Sequence, residues 1–405
     1  MKPVAALLLV IAAGNYDRVD TPMAVALRLA DLGLTAEEAA KAQLFLVEQG
    51  PKEPTLVLAQ WDDGGNPAAA EGSLVFVLPG TTPKGATRTF KLAVKRNEPV
   101  PKALSAEVQD GKRLQVAAGG KPVLRYNFGL MTQFPDKASK FDRAGYFHPL
   151  WAPSGEEITG DFNPNHAHHR GLWFAWVKAD AGPVKANFWE IQEGRGKVVN
   201  KAIAPIEGPA FAGFVAHNDW LSADTLLLKE TLRARAYAAP TQLRIFDLDD
   251  RQEAADADVV LGKIHYGGLG FRGRDDWDGP KAPLDALTSE GKIRANANQT
   301  NARWIDYTGP LGKEGWGGIL VIEHPSNPRY PNRLRVHPTM CFFSTTLCQT
   351  EPYTIKRGEP LELRYRIVLH DGKPDPSPAP GARSLAERLA ADYVTPPTVT
   401  LRKEP

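Results

Sequence analysis

Short runs of alternating apolar and polar residues, separated by turn residues, constrain the fold of this chain more than any other feature. Such alternation places successive side chains on opposite faces of a β-strand. Five of these runs follow one another near the start, at residues 23–29, 43–47, 55–59, 73–78 and 88–94. The glycine- and proline-containing segments between them, such as residues 62–67, are typical of hairpin loops. The pattern predicts a small N-terminal β-sandwich over residues 15–97.

The chain beyond a stiff polar linker at residues 96–102 is also rich in strand-like runs. Examples are residues 113–117, 122–128, 225–237, 242–248, 317–323 and 361–370. No regular helix separates successive runs, which argues against a parallel α/β sheet. We therefore predict an all-β protein in which residues 103–372 form a large antiparallel two-sheet assembly. A proline-rich connector and a short amphipathic C-terminal helix are expected within residues 373–405.

The first fourteen residues allow two interpretations. Lys2, an apolar run and the small residues 12–14 match the plan of a secretory signal peptide, which predicts a periplasmic or secreted protein. A continuous apolar run of this length also suits a buried first strand. It is too short to span a bilayer of ~30 Å, so a membrane anchor is not expected.

Composition excludes several classes of function. The 49 lysines and arginines balance 47 acidic residues, so no overall positive field would gather nucleic acid. The two cysteines, Cys341 and Cys348, match no thiolate zinc spacing. The sequence has no HExxH helix, no P-loop, no GxGxxG after a strand and no GxSxG elbow, so zincin, nucleotide-dependent and serine-hydrolase mechanisms lack their usual support.

The densest group of reactive side chains lies at residues 161–176. His166, His168 and His169 fall within four positions, before an aromatic strand. Imidazole titrates near neutrality and can donate or accept a proton. In an extended segment only one of His168 and His169 can face a given cleft. Arg170 offers a planar fork for a carboxylate or a pair of hydroxyls. The alternative is that one histidine caps backbone groups and another lies on the surface.

Other polar residues also stand at strand ends. Glu190 follows Trp189, and Lys263 and His265 are predicted to share one face of a strand. His324 follows the apolar run 318–322, where it either enters a cleft or packs on prolines in a turn. Asp247 is a strand-interior acid between apolar neighbours. A divalent metal at His166, His168 and either His265 or His324 is a further alternative, although no cofactor is required.

Several segments carry a family resemblance. HAHHRGLWFAW at residue 166, YGGLGFR at 266, ARWIDYTGP at 302, GGILVIEHPSNPRYP at 317 and LRYRIVLHDG at 363 are similar to the PmoA-like domain family, also called DUF6807. The resemblance covers residues 123–372 and implies a galactose-mutarotase-like supersandwich, a fold in which histidines, an arginine and a carboxylate on the concave face act on sugars. It implies such roles for His168, His169, Arg170 and His324.

Together these features predict a carbohydrate-active enzyme that cleaves a glycosidic bond. The predicted catalytic residues are His168, His169, Arg170, His265, His324 and Glu190. The predicted substrate-binding residues are His166, Trp173, Trp176, Trp189, Asp247, Lys263 and Asn327. Hydrolysis would need paired carboxylates about 5–10 Å apart, whereas elimination needs a base and a charge stabiliser. The alternatives are a noncatalytic glycan-binding protein and, from the family label, a metal-dependent oxidoreductase.

Overall fold

The computed structural model describes residues 7–96, 98–134, 139–239, 243–373 and 384–403, and these are built mainly of antiparallel strands. The all-β prediction is confirmed. Residues 1–6 of the apolar N-terminal run and residues 374–383 of the predicted connector lie outside the described residues. Among the described residues, no helix is long and apolar enough to cross a membrane.

The N-terminal strands form one continuous sheet of seven strands in the order β2-β5-β4-β3-β6-β1-β27. Its strands are β1 (Leu7–Ala12), β2 (Arg18–Arg28), β3 (Gln43–Glu48), β4 (Leu56–Asp62), β5 (Glu71–Thr82), β6 (Thr87–Lys95) and β27 (Thr398–Lys403). Two short helices, α1 (Leu29–Leu32) and α2 (Ala36–Lys41), connect β2 to β3. A capping box between Thr35 and Glu38 begins α2.

Strand β1 lies inside this sheet, paired with β6 on one side and with β27 on the other. Leu7, Leu9 and Ile11 point into the core, as the alternation of the run requires. For residues 7–12 the structure thus shows the buried-strand alternative. A leader peptide that ended at residue 14 would remove this strand, and secretion stays a prediction.

The larger part of the chain contains two eight-stranded sheets. The first large sheet comprises β7 (Leu104–Gln109), β8 (Arg113–Ala118), β9 (Lys121–Asn127), β10 (Tyr146–Leu150), β11 (Leu172–Ala175), β19 (Gly268–Arg272), β23 (Arg333–Val336) and β24 (Phe342–Thr346). The second comprises β14 (Lys197–Ile206), β15 (Phe211–Ser222), β16 (Thr225–Tyr237), β17 (Arg244–Ala254), β20 (Asp285–Thr288), β21 (Trp304–Leu311), β22 (Gly315–Glu323) and β26 (Leu361–Asp371). Their aromatic side chains share one core: Tyr126 stacks on Phe214 at 4.6 Å, and Phe147 lies 6.2 Å from Phe246. The predicted antiparallel two-sheet assembly is confirmed.

A four-stranded sheet and two 3-10 helices complete the larger part. The sheet is formed by β12 (Ala179–Ala181), β13 (Val184–Ala186), β18 (Val259–Leu261) and β25 (Tyr353–Ile355). The 3-10 helices span Ile191–Glu193 and Asp275–Trp277.

The C-terminal segment joins the two parts of the molecule. Helix α3 (Leu385–Val394) begins after the N-cap Ser384 and confirms the predicted amphipathic helix. Its residues Ala386, Leu389 and Ala390 pack with Val75 of β5 and Val368 of β26 in a single apolar cluster. The chain then returns to the N-terminal sheet as β27, so residues 398–403 belong to that sheet and not to a separate tail.

Two buried acids lie between the large sheets. Glu230 of β16 accepts a hydrogen bond from Asn218 at 2.6 Å, and Asp250 of β17 accepts one from Gln252 at 2.8 Å. Burial raises the pKa of Glu230, and burial together with the neighbouring Glu230 charge raises the pKa of Asp250 well above its ordinary value. The Oε1 of Gln252 in turn accepts the indole N–H of Trp176 at 2.7 Å.

We expect Asp250→Asn to make the protein more stable than the wild type at alkaline pH. A raised folded-state pKa gives stability that is full below the unfolded pKa and is lost as the pH rises through the folded pKa. The variant avoids this loss, so its advantage in free energy of unfolding should grow as the pH rises from 5 to 8. Denaturant unfolding at both pH values measures it. Asp224→Asn, at a fully exposed aspartate, is the matched control; equal pH dependence in both variants would contradict the prediction.

Candidate functional site

The three clustered histidines lie in a turn that precedes β11. His166 donates its backbone N–H to the carbonyl of Asn163, and His169 donates its own to the carbonyl of His166. The turn brings all three rings together, with centroids 5.1 Å apart for His166 and His169, 4.5 Å for His168 and His169, and 5.6 Å for His166 and His168. The expectation that His168 and His169 face opposite sides is wrong, because it assumed an extended backbone. We call these three residues the histidine loop.

Aromatic side chains form the floor under the histidine loop. His169 is buried and stacks on Phe342 of β24 at 4.6 Å. Trp173 and Trp189 contact the same imidazole, with ring centroids at 5.5 and 5.8 Å. Trp173, Trp176 and Trp189 are all buried, so their rings are core side chains. This corrects the prediction that they are open walls on which a sugar could stack.

Arg170 is turned away from the histidine loop and is completely buried. Its Nε and Nη2 donate to the carboxylate of Asp161, its Nη2 also donates to the hydroxyl of Tyr146, and its Nη1 donates to the carbonyl of Phe141 at 2.9 Å. The guanidinium lies 3.5 Å from the ring centroid of Phe162. Since these protein groups already occupy the fork, the prediction that Arg170 orients a substrate is wrong.

Two arginines that sequence reasoning missed lie close to the histidine loop. Arg272 of β19 is buried and bonds to Asp278. Arg143, between β9 and β10, donates from Nη2 to the carbonyl of Phe188 at 2.9 Å, and its guanidinium carbon lies 5.8 Å from the ring centroid of Trp173. Arg272 ends the YGGLGFR segment that carries the family resemblance, but nothing in that segment marked it as a site residue, and Arg143 stands in no such segment.

Burial and these arginines keep the imidazoles neutral. Desolvation, with smaller contributions from His166, Arg143 and Arg272, lowers the pKa of His168 to about 4. The pKa of His166 is also lowered, chiefly by desolvation, and that of the more deeply buried His169 lies well below its ordinary value. At neutral pH all three rings are therefore unprotonated, and each has one ring nitrogen with a free lone pair. His166 and His168 are only partly buried, so they are the accessible members.

The carboxylates beside the histidine loop are already bound. Asp161 holds Arg170, and Asp278 holds Arg272 and accepts the backbone N–H of Cys341 at 2.7 Å. Asp275 accepts from the side chain of Asn163. None of these acids is free to act as half of a catalytic carboxylate pair.

Glu190 lies on the far side of Trp189. It accepts the hydroxyl of Tyr266 at 2.5 Å and the amide of Asn187 at 2.7 Å, and it lines a cavity of about 470 Å³. The ring of Tyr266 packs edge-on against Trp189 at 5.6 Å. Glu190 therefore adjoins the floor of the histidine loop without facing the imidazoles.

Lys263 and His265 lie in an irregular segment between β18 and β19, not on a strand as predicted. Both side chains are exposed, and the His265 ring packs against Tyr266 at 4.9 Å. The structure does not bring His265 into the histidine loop.

The remaining predicted residues lie in a separate region, between the N-terminal sheet, the second large sheet and α3. His324 and Asp247 line a groove of about 600 Å³ there. His324 bonds to Ser326 at 2.7 Å, and Asp247 pairs with Arg366 at 2.7 Å. Asn327 is buried and bonds to the backbone of Arg364. The prediction that His324 meets the other histidines in one pocket is therefore wrong.

A metal at these histidines finds no support in the arrangement. Within the described ranges, no group of three His, Cys, Asp or Glu side chains is placed to hold a metal ion. Of the proposed third ligands, His265 lies on the surface and His324 in the separate groove.

One protein family matches the chain. The model of a family described as being of unknown function, DUF6807, matches residues 113–382 and so covers the histidine loop and every strand of the two large sheets except β7. No curated protein matches the sequence.

Proposed function

Since the chain belongs to the DUF6807 family, whose function is unknown, we propose its function from the site itself. The protein is a carbohydrate-active enzyme that cleaves a glycosidic bond at the histidine loop. The observation that carries this proposal is the contact between three neutral imidazoles, two of them accessible, next to Arg143 and Arg272. Such a set provides a base and positive charge in one place.

Elimination suits this set better than hydrolysis. Hydrolysis by the common routes requires two free carboxyl groups about 5–10 Å apart, whereas Asp161 and Asp278 are bound to arginines. Elimination requires only a base near an acidified ring C–H and a group that stabilises the developing negative charge. His168, partly accessible and neutral, is the proposed base.

The elimination step balances without an added oxidant or water. The His168 imidazole takes a proton from a ring carbon that a neighbouring electron-withdrawing group has acidified. The electron pair of that C–H bond forms a double bond to the adjacent ring carbon, whose bond to the glycosidic oxygen breaks. The leaving oxygen takes a proton back from the imidazolium, so the products are one saturated and one unsaturated chain end.

Product analysis on a panel of plant and algal polysaccharides tests the proposal. We expect at least one polysaccharide to yield new chain ends with an ultraviolet-absorbing double bond. New reducing ends without that absorbance would indicate hydrolysis and keep the histidine loop as a cleavage site with another mechanism. If calorimetry detects heat of binding but no new chain end forms, the protein is a glycan-binding protein and not an enzyme.

A further inference from the structure

One buried arginine differs from the other buried arginines in its ion pairing. Five arginines in the described part of the chain are less than 5% exposed. Four of them have a carboxylate partner: Arg18 has Asp392, Arg170 has Asp161, Arg272 has Asp278 and Arg366 has Asp247. Arg143 is the fifth, and no carboxylate of the described residues lies within salt-bridge distance of it.

An unpaired buried guanidinium is costly, because the charge has left water without gaining a counter-ion. Within the described ranges, the buried Nε and Nη1 of Arg143 have no hydrogen-bond partner, and Nη2 donates to the carbonyl of Phe188. Desolvation lowers the pKa of Arg143 to about 9, which still leaves it charged at neutral pH. Among the residues that the structure describes, no carboxylate therefore balances this positive charge.

Two hydrogen-bond donors beside His169 also lack acceptors. The indole N–H groups of Trp173, whose ring lies 5.8 Å from the Arg143 guanidinium carbon, and of Trp189 are buried and find no acceptor among the described residues. An indole N–H can only donate. A carboxylate accepts hydrogen bonds and carries negative charge, so it complements both features.

We infer that the histidine loop takes an acidic glycan, a polymer of uronic acids, and that Arg143 is the positioning residue that selects the sugar carboxylate. This inference rests on the proposed function and names its substrate class. The carboxylate would also be the electron-withdrawing group that acidifies the ring C–H in the elimination step. By offsetting Arg143, it would make His168 a stronger base in the complex than in the free protein.

Matched pairs of ligands test the inference. Oligosaccharides from polygalacturonate, alginate and glucuronan are each compared with their carboxyl-reduced, neutral counterparts by titration calorimetry. For at least one pair we expect the wild type to bind the acidic member at least ~10-fold more tightly, which corresponds to about 1.4 kcal/mol. In Arg143→Met that preference should fall below about threefold, whereas Arg143→Lys, which keeps the charge, should retain most of it.

A second measurement separates charge selection from a structural role of Arg143. In an NMR titration of the His168 imidazole, the acidic ligand should raise the His168 pKa in the wild type. Without ligand, Arg143→Met should itself raise that pKa, since the positive charge of Arg143 lowers it. The inference is overturned if no acidic member is preferred, or if the preference persists in Arg143→Met. Cleavage of a neutral glycan alone would overturn the inference but keep the proposed function. Tight binding of an acidic glycan without cleavage would keep the inference but overturn the proposed function.

Discussion

His168→Ala should lower the turnover of the cleaved glycan by ~10²–10⁴-fold, which is the contribution that a positioned acid or base makes. The fold should survive this change. The His168 ring is only partly buried, and within the described residues it makes ring contacts with His166 and His169 but no hydrogen bond. The free energy of unfolding should therefore change by less than about 1 kcal/mol. Steady-state kinetics and denaturant unfolding of the same preparation give both quantities.

The fall of kcat/KM at low pH tests the role of His168 independently of the substitution. A base works only when it is unprotonated, so kcat/KM should fall as the pH drops through the pKa of His168 in the free enzyme, which burial lowers to about 4. His217→Ala is the control, because this exposed histidine lies on β15 and its side chain hydrogen-bonds, among the described residues, only to Thr231. Unchanged turnover in His168→Ala, or an equal loss in His217→Ala, would remove His168 from the mechanism.

The local parts of the fold could be predicted from the sequence, and the long-range pairings could not. Alternation with a period of two identified most strands, because each strand has one face in a core. The helix after the connector was visible because its leucines recur at helical spacing. No local sequence pattern shows that β27 pairs with β1 nearly four hundred residues away, because this pairing depends on where the intervening sheets place the C-terminal segment.

The candidate site could be predicted only in part, because its geometry also depends on contacts between distant parts of the chain. The density of histidines marked the loop, but the orientation of its side chains depends on the turn that starts at Asn163. His324 ends a strand of the second large sheet, and only the topology shows that this strand end lies in another groove. Arg143 stands in no motif, and its importance rests on the lack of a carboxylate partner among the described residues, which only the folded molecule shows.

Arg170→Met should destabilise the protein by about 3–5 kcal/mol, as expected when one partner of a buried ion pair is removed. Asp161 and the hydroxyl of Tyr146 would lose the guanidinium that bonds to both, and Phe141 would lose the donor to its carbonyl. Denaturant unfolding measures the loss, and Arg170→Met combined with Asp161→Asn should recover part of it because no unpaired carboxylate remains.

Arg143→Met is the informative comparison for Arg170→Met. Both changes replace a buried guanidinium by an apolar chain of similar length, but in the described part of the chain Arg143 has no carboxylate partner that its removal would leave unpaired. Because a buried charge without a counter-ion is costly, its replacement should raise the free energy of unfolding, by about 1–3 kcal/mol. Equal large losses in both variants would mean that Arg143 is a structural residue like Arg170. A large loss in Arg170→Met alone would mean that the protein keeps the charge of Arg143 for something other than its own stability.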